Sequence, residues 1–298
     1  MLNSLPITAR LFATVFLSTL VLGHFSGNVA RASEASPLFV EEDFSYDPAP
    51  LYDEARTPTK TFEGGTGWKG EWQLQNAGPE NGFPGFNISN ISPLTYNNLV
   101  SSPGNLAGGE QYLTAGRVML TDNTTAADSA SYIEDGSYGI SGQELWVSFL
   151  LRVDILAAQT RVALSKSGMG MPDSVSQVVV GKIGDSDQWG LMVGTELTKH
   201  AEVDIYADVP TLIVLRYVFN ADRGAVVSLF VNPDLTKTLP EPNVQIDTGT
   251  TAVSFSSMSF SPGPGENSAA LDAFRVGPSF EAVTPRTSTN LPVTPTKP

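Results

Sequence analysis

Cysteine is absent from this chain of 298 residues. That absence excludes a disulfide framework, a thiolate nucleophile and a lipid anchor on cysteine, and a chain of this length can hold itself together by core burial instead. Histidine is almost as scarce. Only His200 lies beyond the first 32 residues, so zinc centres and most histidine acid–base chemistry are removed. No nucleophile elbow gives His200 a Ser-His-Asp role, and it is expected in a polar loop beside Lys199 and Glu202. Basic side chains are also few, 17 against 31 acidic ones. A surface of that sign repels phosphate backbones, so nucleic acid is excluded as a partner.

Long apolar runs are missing apart from one. Leu11 to Gly23 is a run of 13 residues behind a start whose basic residue is Arg10. It is too short to span a bilayer as a helix, which needs about 20. Polar residues follow, then "ARAS", with Ala30 and Ala32 at the small positions of an A-x-A cleavage site. Residues 1–32 therefore read as an export signal. The expected product is secreted, periplasmic or at the cell surface, with no transmembrane anchor. Without the leader, 15 basic side chains face 31 acidic ones, a formal charge of −16.

What remains is rich in strand patterns. "ELWVSFLLRVD" sets Leu145, Val147, Phe149, Leu151 and Val153 on one face at period two. "TLIVLRYVF" (211–219) is apolar on both faces, as a strand between two layers would be. After "NADRG", "AVVSLFV" (225–231) completes a hairpin with it. Further short runs are joined by segments drawn from 27 Gly and 21 Pro, and no stretch of a dozen residues has helical period with caps. The pattern predicts an all-β, antiparallel two-sheet sandwich, one domain over 33–285, with 286–298 a flexible Thr/Pro-rich tail.

One segment tempts toward another fold. In "FEGGTGWKGEW", Gly65, Gly67 and Gly70 have the G-x-G-x-x-G spacing of a dinucleotide loop. Such a loop must follow a buried strand and open a helix. Here polar, Pro-containing residues precede it, and Trp72 and Leu74 alternate with Glu71, Gln73 and Gln75 behind it. The segment reads as turn and strand. Its glycines supply positive φ in a tight connection, and Trp68 and Trp72 cover an edge of the core.

"GGTGWKGEW", "LTYNNLVSSPGN", "LWVSFLLRVD", "VVVGKIGDSDQWGL", "LIVLRYVFNADRGAVVSLFVNPDL" and "LDAFRVGPSFEAVTP" occur in that order. Together they resemble the concanavalin A-like lectin/glucanase superfamily in its laminin G-like form, across nearly all of the chain after the leader. The resemblance implies a jelly roll of about a dozen strands in which first and last strands pair, bringing "EEDFSY" beside "LDAFRVG". It does not settle function, since such folds host lectins, glycosidases and protein-binding modules. It implies a non-catalytic binding or structural module, most readily one for a polysaccharide or a cell-surface glycan.

Three sets of residues are candidates for that work. Sugar binding needs an aromatic platform, for which Trp68, Trp72, Trp189 and Tyr206 are available. A laminarinase-type glycosidase is the alternative: "AEVDIYAD" sets Glu202, Asp204 and Tyr206 on one strand face, but the second Glu of the family motif is missing. Asp208 follows, in an expected turn before Pro210. Calcium is the third theme, as in a calcium-dependent protein-adhesion module. Asp185 and Asp187 of "GDSDQWG" are candidates, as are Asp43 and Asp272 if the terminal strands pair. Asp272 is expected to share a strand face with Phe274 and Val276 and so to point inward, where Arg216 or Arg275 is available to satisfy it.

Overall fold

The computed structural model describes residues 37–51, 62–75, 86–90, 93–102, 104–108, 114–121, 127–166, 177–195, 197–221, 224–263 and 268–287. The export leader and all but the first two residues of the expected tail lie outside them.

Two antiparallel sheets are stacked as a jelly-roll sandwich. The larger runs β16 (Val244–Asp247), β15 (Ala225–Val231), β14 (Thr211–Phe219), β9 (Glu144–Val153), β18 (Ala269–Gly277), β5 (Asn105–Gly108), β4 (Phe86–Ser89) and β2 (Ala49–Pro50). A ninth strand, β1 (Val40–Glu42), pairs with β18, Glu41 opposite Arg275. First and last strands thus meet as the resemblance implied. The other sheet runs β13 (Leu197–Asp204), β12 (Gln188–Val193), β11 (Val178–Lys182), β10 (Arg161–Ser165), β17 (Ser257–Ser261), β6 (Thr114–Met119) and β3 (Trp68–Gln75). A short hairpin, β7 (Ile133–Glu134) and β8 (Ser137–Tyr138), and two single-turn helices, α1 (Ala127–Ala130) and α2 (Phe280–Val283), complete the described elements. Among the described residues no helix is long and apolar enough to cross a membrane.

The alternation of β9 is realised as read: Leu145, Val147, Phe149, Leu151 and Val153 all enter the core between the sheets. Rings interlock across the gap, Phe86 with Phe260 at 6.0 Å and Trp68 with Phe274 at 5.6 Å between centroids. The larger sheet is covered on its other face as well. There Trp146, Leu150, Leu212, Val214 and Phe230 pack under Leu94, Leu99 and the α2 residues Phe280 and Val283. That second apolar layer is why β14 is apolar on both faces. It also reaches the expected tail, where Arg286 bridges Leu99 and the Thr287 N–H donates to Asn98.

The glycine segment is turn and strand, with β3 starting at Trp68. Gly65 and Gly67 have φ of +76° and +75°, and a Cβ there would stand 2.3 Å from the Glu41 carbonyl and 2.1 Å from that of Phe39. They let this connection press against β1. The carbonyls of Gly64 and Gly70 accept hydrogen bonds from Arg117, whose guanidinium is buried against Glu42. Trp72 Nε1 and the Tyr46 hydroxyl also donate to that carboxylate. Burial pushes the Glu42 carboxyl up and Arg117 pulls it back. Nothing in the spacing of the sequence pointed to this pair.

Candidate functional site

Loops 154–160, 183–187 and 205–210 meet at one end of the sandwich, stitched by backbone hydrogen bonds. The Asp208 N–H donates to Val153 at 3.0 Å, that of Ile205 to Asp187 at 2.7 Å and that of Lys182 to Thr160 at 2.8 Å. Asp208 takes a left-handed conformation, φ +61°, in the turn expected before Pro210.

Between the first two loops lies a cavity of about 390 Å³. Gln159, Lys182, Asp185 and Asp187 give it a polar lining, and Leu156 and Ala157 an apolar one. The sequence pattern explains Lys182. It stands opposite Trp189, on the inward face that Val178 and Val180 also use, at the last position of β11. Its stem therefore stays in the sandwich while its ammonium emerges among the loops. The side chain is 5% exposed. Nζ donates to the Ser186 carbonyl at 2.8 Å and to Asp187 Oδ1 at 2.7 Å, leaving a third N–H. Asp187 is open to solvent and keeps acceptor positions free. Gln159 accepts from Arg161 through Oε1, which leaves its NH₂ group to donate.

Tyr206 lies on the 205–210 loop, which is tied to the 183–187 loop that lines this cavity. It follows Ile205, whose N–H is bonded to Asp187, and its ring is 65% exposed, the most open of the large apolar side chains among the described residues. Of the four aromatic candidates it alone faces solvent. Trp68, Trp72 and Trp189 are buried in the core between the sheets, so their rings cannot serve as platforms. Asp185 and Asp187, raised in the sequence as calcium candidates, share their cavity with the Lys182 ammonium, which Asp187 binds, and that positive charge opposes a cation there.

Glu202 and Asp204 fall on β13, the edge strand of the seven-stranded sheet, with both side chains exposed and Ala201 and Val203 turned inward. His200 belongs to this strand and not to a loop, opposite Gly190. Tyr206 lies beyond the strand end, but with Ile205 buried and Tyr206 exposed the alternation of Glu202 and Asp204 runs on to it. Among the described residues no group of three His, Cys, Asp or Glu side chains converges closely enough to hold a metal ion.

Asp272 departs from its expected face. The pairing of β18 with β9 slips between Asp272 and Arg275, and Ala273 adopts φ +51°. This bulge breaks the alternation, so Leu271, Phe274 and Val276 share the inter-sheet core and Asp272 falls out of their row. The carboxylate is nevertheless fully buried. Oδ1 accepts from the Ala273 N–H at 2.6 Å, while Oδ2 has no hydrogen-bond partner. Burial, with smaller contributions from Asp43 and Glu42, raises its pKa to about 8 against the pull of the Ala273 N–H and of Arg275. Neither arginine satisfies it: Arg216 is paired with Glu144 and Arg275 with Glu41. Asp43 lies in the same neighbourhood, but its carboxylate holds the Ser45 N–H and hydroxyl.

The residues that sequence reasoning missed are Gln159, Lys182 and Leu156. Each sits in an ordinary strand or loop run, and only the folding of three distant loops onto one end brings them together.

No family model matches the chain, and no curated protein matches it. Among solved structures it is similar to the globular domain of T. cruzi calreticulin, at 11% identity over 71% of this chain and 85% of that one, TM-score 0.43. The calcium-bound exoplasmic/lumenal domain of VIP36 is 8% identical, with 80% and 92% covered and a TM-score of 0.40. An endo-β-1,4-glucuronan lyase from the fungus Trichoderma reesei is 13% identical, with 74% and 94% covered and a TM-score of 0.38. At these identities no residue role passes from them to this chain.

Proposed function

We propose that this chain is an exported carbohydrate-binding module of laminin G-like type that takes one neutral sugar unit of a polysaccharide or cell-surface glycan at the loop end. One observation carries the reading: Gln159, Lys182, Asp185 and Asp187 line one cavity, and the loop tied to it through the Ile205 N–H carries the exposed Tyr206. Sugar hydroxyls both donate and accept. They match a wall that offers both N–H donors and carboxylate oxygens, and the C–H face of the ring suits an aromatic side chain. Lys182 supplies one positive charge and the two aspartates two negative ones, which favours a neutral sugar over a uronate.

The test is a glycan-array screen of the domain, with calorimetry on each hit against Tyr206→Ala and Gln159→Ala. Both variants are expected to lose about tenfold or more in affinity, about 1.4 kcal/mol, with unchanged melting. Hits that bind both variants like the parent protein would place the site elsewhere, and an array without hits would remove the reading. The same glycans assayed for hydrolysis test the glycosidase alternative, which rests on Glu202 and Asp204 alone.

Calcium has a structural place in this reading. A hard cation seeks oxygen ligands, and the buried, unpartnered Oδ2 of Asp272 is the carboxylate oxygen that fits it. With no three-acid cluster among the described residues, its other ligands would be backbone carbonyls and water. Held there, the ion would take the place of the carboxyl proton and stabilise the ionised form of Asp272.

A further inference from the structure

The loop-end cavity has a second wall that a bare sugar leaves unused. Leu156 and Ala157 line it, and two exposed apolar residues stand on the loops around it. Ile155 is 36% exposed and Val209 47%, on two loops tied together by the hydrogen bond from Asp208 to Val153. Tyr206 lies on the same loop as Val209. An unmodified hexose presents hydroxyls around its rim, so hydroxyl groups turned toward Leu156 and Ile155 would lose water without gaining a partner. A sugar that carries a short apolar substituent does not meet that difficulty. Its polar edge faces Gln159, Lys182 and the two aspartates, while the substituent covers the leucine side. The substituent is not an anion, since Asp185 and Asp187 outnumber Lys182, and not an ammonium, which would lose its water against the apolar wall.

We infer that the ligand is an acetylated glycan, whose acetyl methyl packs on the Leu156–Ala157 wall and the exposed Ile155 and Val209 beyond it. This inference rests on the carbohydrate-binding reading of the cavity and narrows its ligand class. Acetyl groups occur as N-acetyl and O-acetyl substituents, and the shared chemistry is a small neutral carbonyl bearing one methyl. Burying one methyl is worth about 0.8 kcal/mol, roughly fourfold in affinity.

Two matched pairs of probes test it by calorimetry on the full domain. Chitohexaose and cellohexaose are neutral and differ in an acetamido group against a hydroxyl. Acetylated xylan and the same xylan after alkaline deacetylation differ in ester groups alone. The acetylated member of at least one pair is expected to bind about fourfold or more tightly, and which pair responds tells N-acetyl from O-acetyl. The double variant Ile155→Ser/Val209→Ser, changed at exposed positions only, is expected to shrink that gap while leaving the unacetylated member unaffected. Equal binding within both pairs would overturn the acetyl inference and leave the carbohydrate site standing. If none of the four probes binds while the array yields other hits, the acetyl inference falls and the carbohydrate site stands; if the array is silent too, both fall.

Discussion

Lys182 Nζ lies 2.7 Å from Asp187 Oδ1, yet the lysine side chain is 5% exposed and the aspartate 70%. A pair so unequal is not an ordinary surface ion pair, because the lysine stem is held in the sandwich and only the cavity side of its ammonium is open. Lys182→Met keeps the stem and removes the charge. Asp187 can return to water, so the expected loss is about 1.5–3 kcal/mol, that of a hydrogen bond to a charged group. Chemical denaturation of the variant measures it. Glycan affinity is expected to fall as well, because the third N–H of the ammonium is gone.

The glycine segment gives a sharper contrast. Gly67 and Gly70 both have positive φ, but a Cβ at Gly67 would meet the Phe39 carbonyl at 2.1 Å, while at Gly70 it would meet nothing within 4 Å. Gly70→Ala should cost about 1–2 kcal/mol, the left-handed penalty alone. Gly67→Ala should cost distinctly more, since β1 must also move away. Thermal melts of the two variants decide this. Equal losses would mean that β1 does not press on the connection.

Glu42 and Arg117 form a buried pair, so removing one partner strands the other. Arg117→Met is expected to destabilise by about 3–5 kcal/mol, and Glu42→Gln/Arg117→Met by less than the two single losses added together. A double-mutant cycle read by denaturation checks the coupling.

Asp272 sets a pH dependence. Unfolded, its carboxyl titrates near 3.8, and folded it holds its proton to about 8. Between those values the native state binds more protons, so stability falls as pH rises through that window and levels off above it. Asp272→Asn should remove this part of the slope. Calcium is expected to raise the melting temperature of the parent protein above pH 7 and to leave Asp272→Asn unmoved. A calcium response that survives the substitution would place the ion elsewhere.

The fold was readable in the sequence because its evidence is local. The alternation of β9, the two-faced β14 and the turn between β14 and β15 each lie within a dozen residues, and each appears as read. The site is not local. Tyr206, Asp185 and Asp187 were visible as residue types, but nothing in the chain joined them to Gln159 or Lys182, because loop closure at the sandwich end depends on three-dimensional neighbours. Trp189 shows the converse. Its large ring suggests a platform, yet period-two alternation with Leu191 and Val193 takes it inward. Asp272 was misplaced because period two assumes an unbroken strand, and the bulge at Ala273 shifts every side chain beyond it.

The central claim is that ligand meets the three loops and not the faces of the sheets. Backbone amide shifts followed by NMR during titration with the tightest array hit measure this directly. The account predicts shifts concentrated at Leu156–Gln159, Lys182–Asp187 and Ile205–Val209, with Glu202 and Asp204 unmoved. Shifts centred on β13 instead, with the loop amides silent, would contradict it.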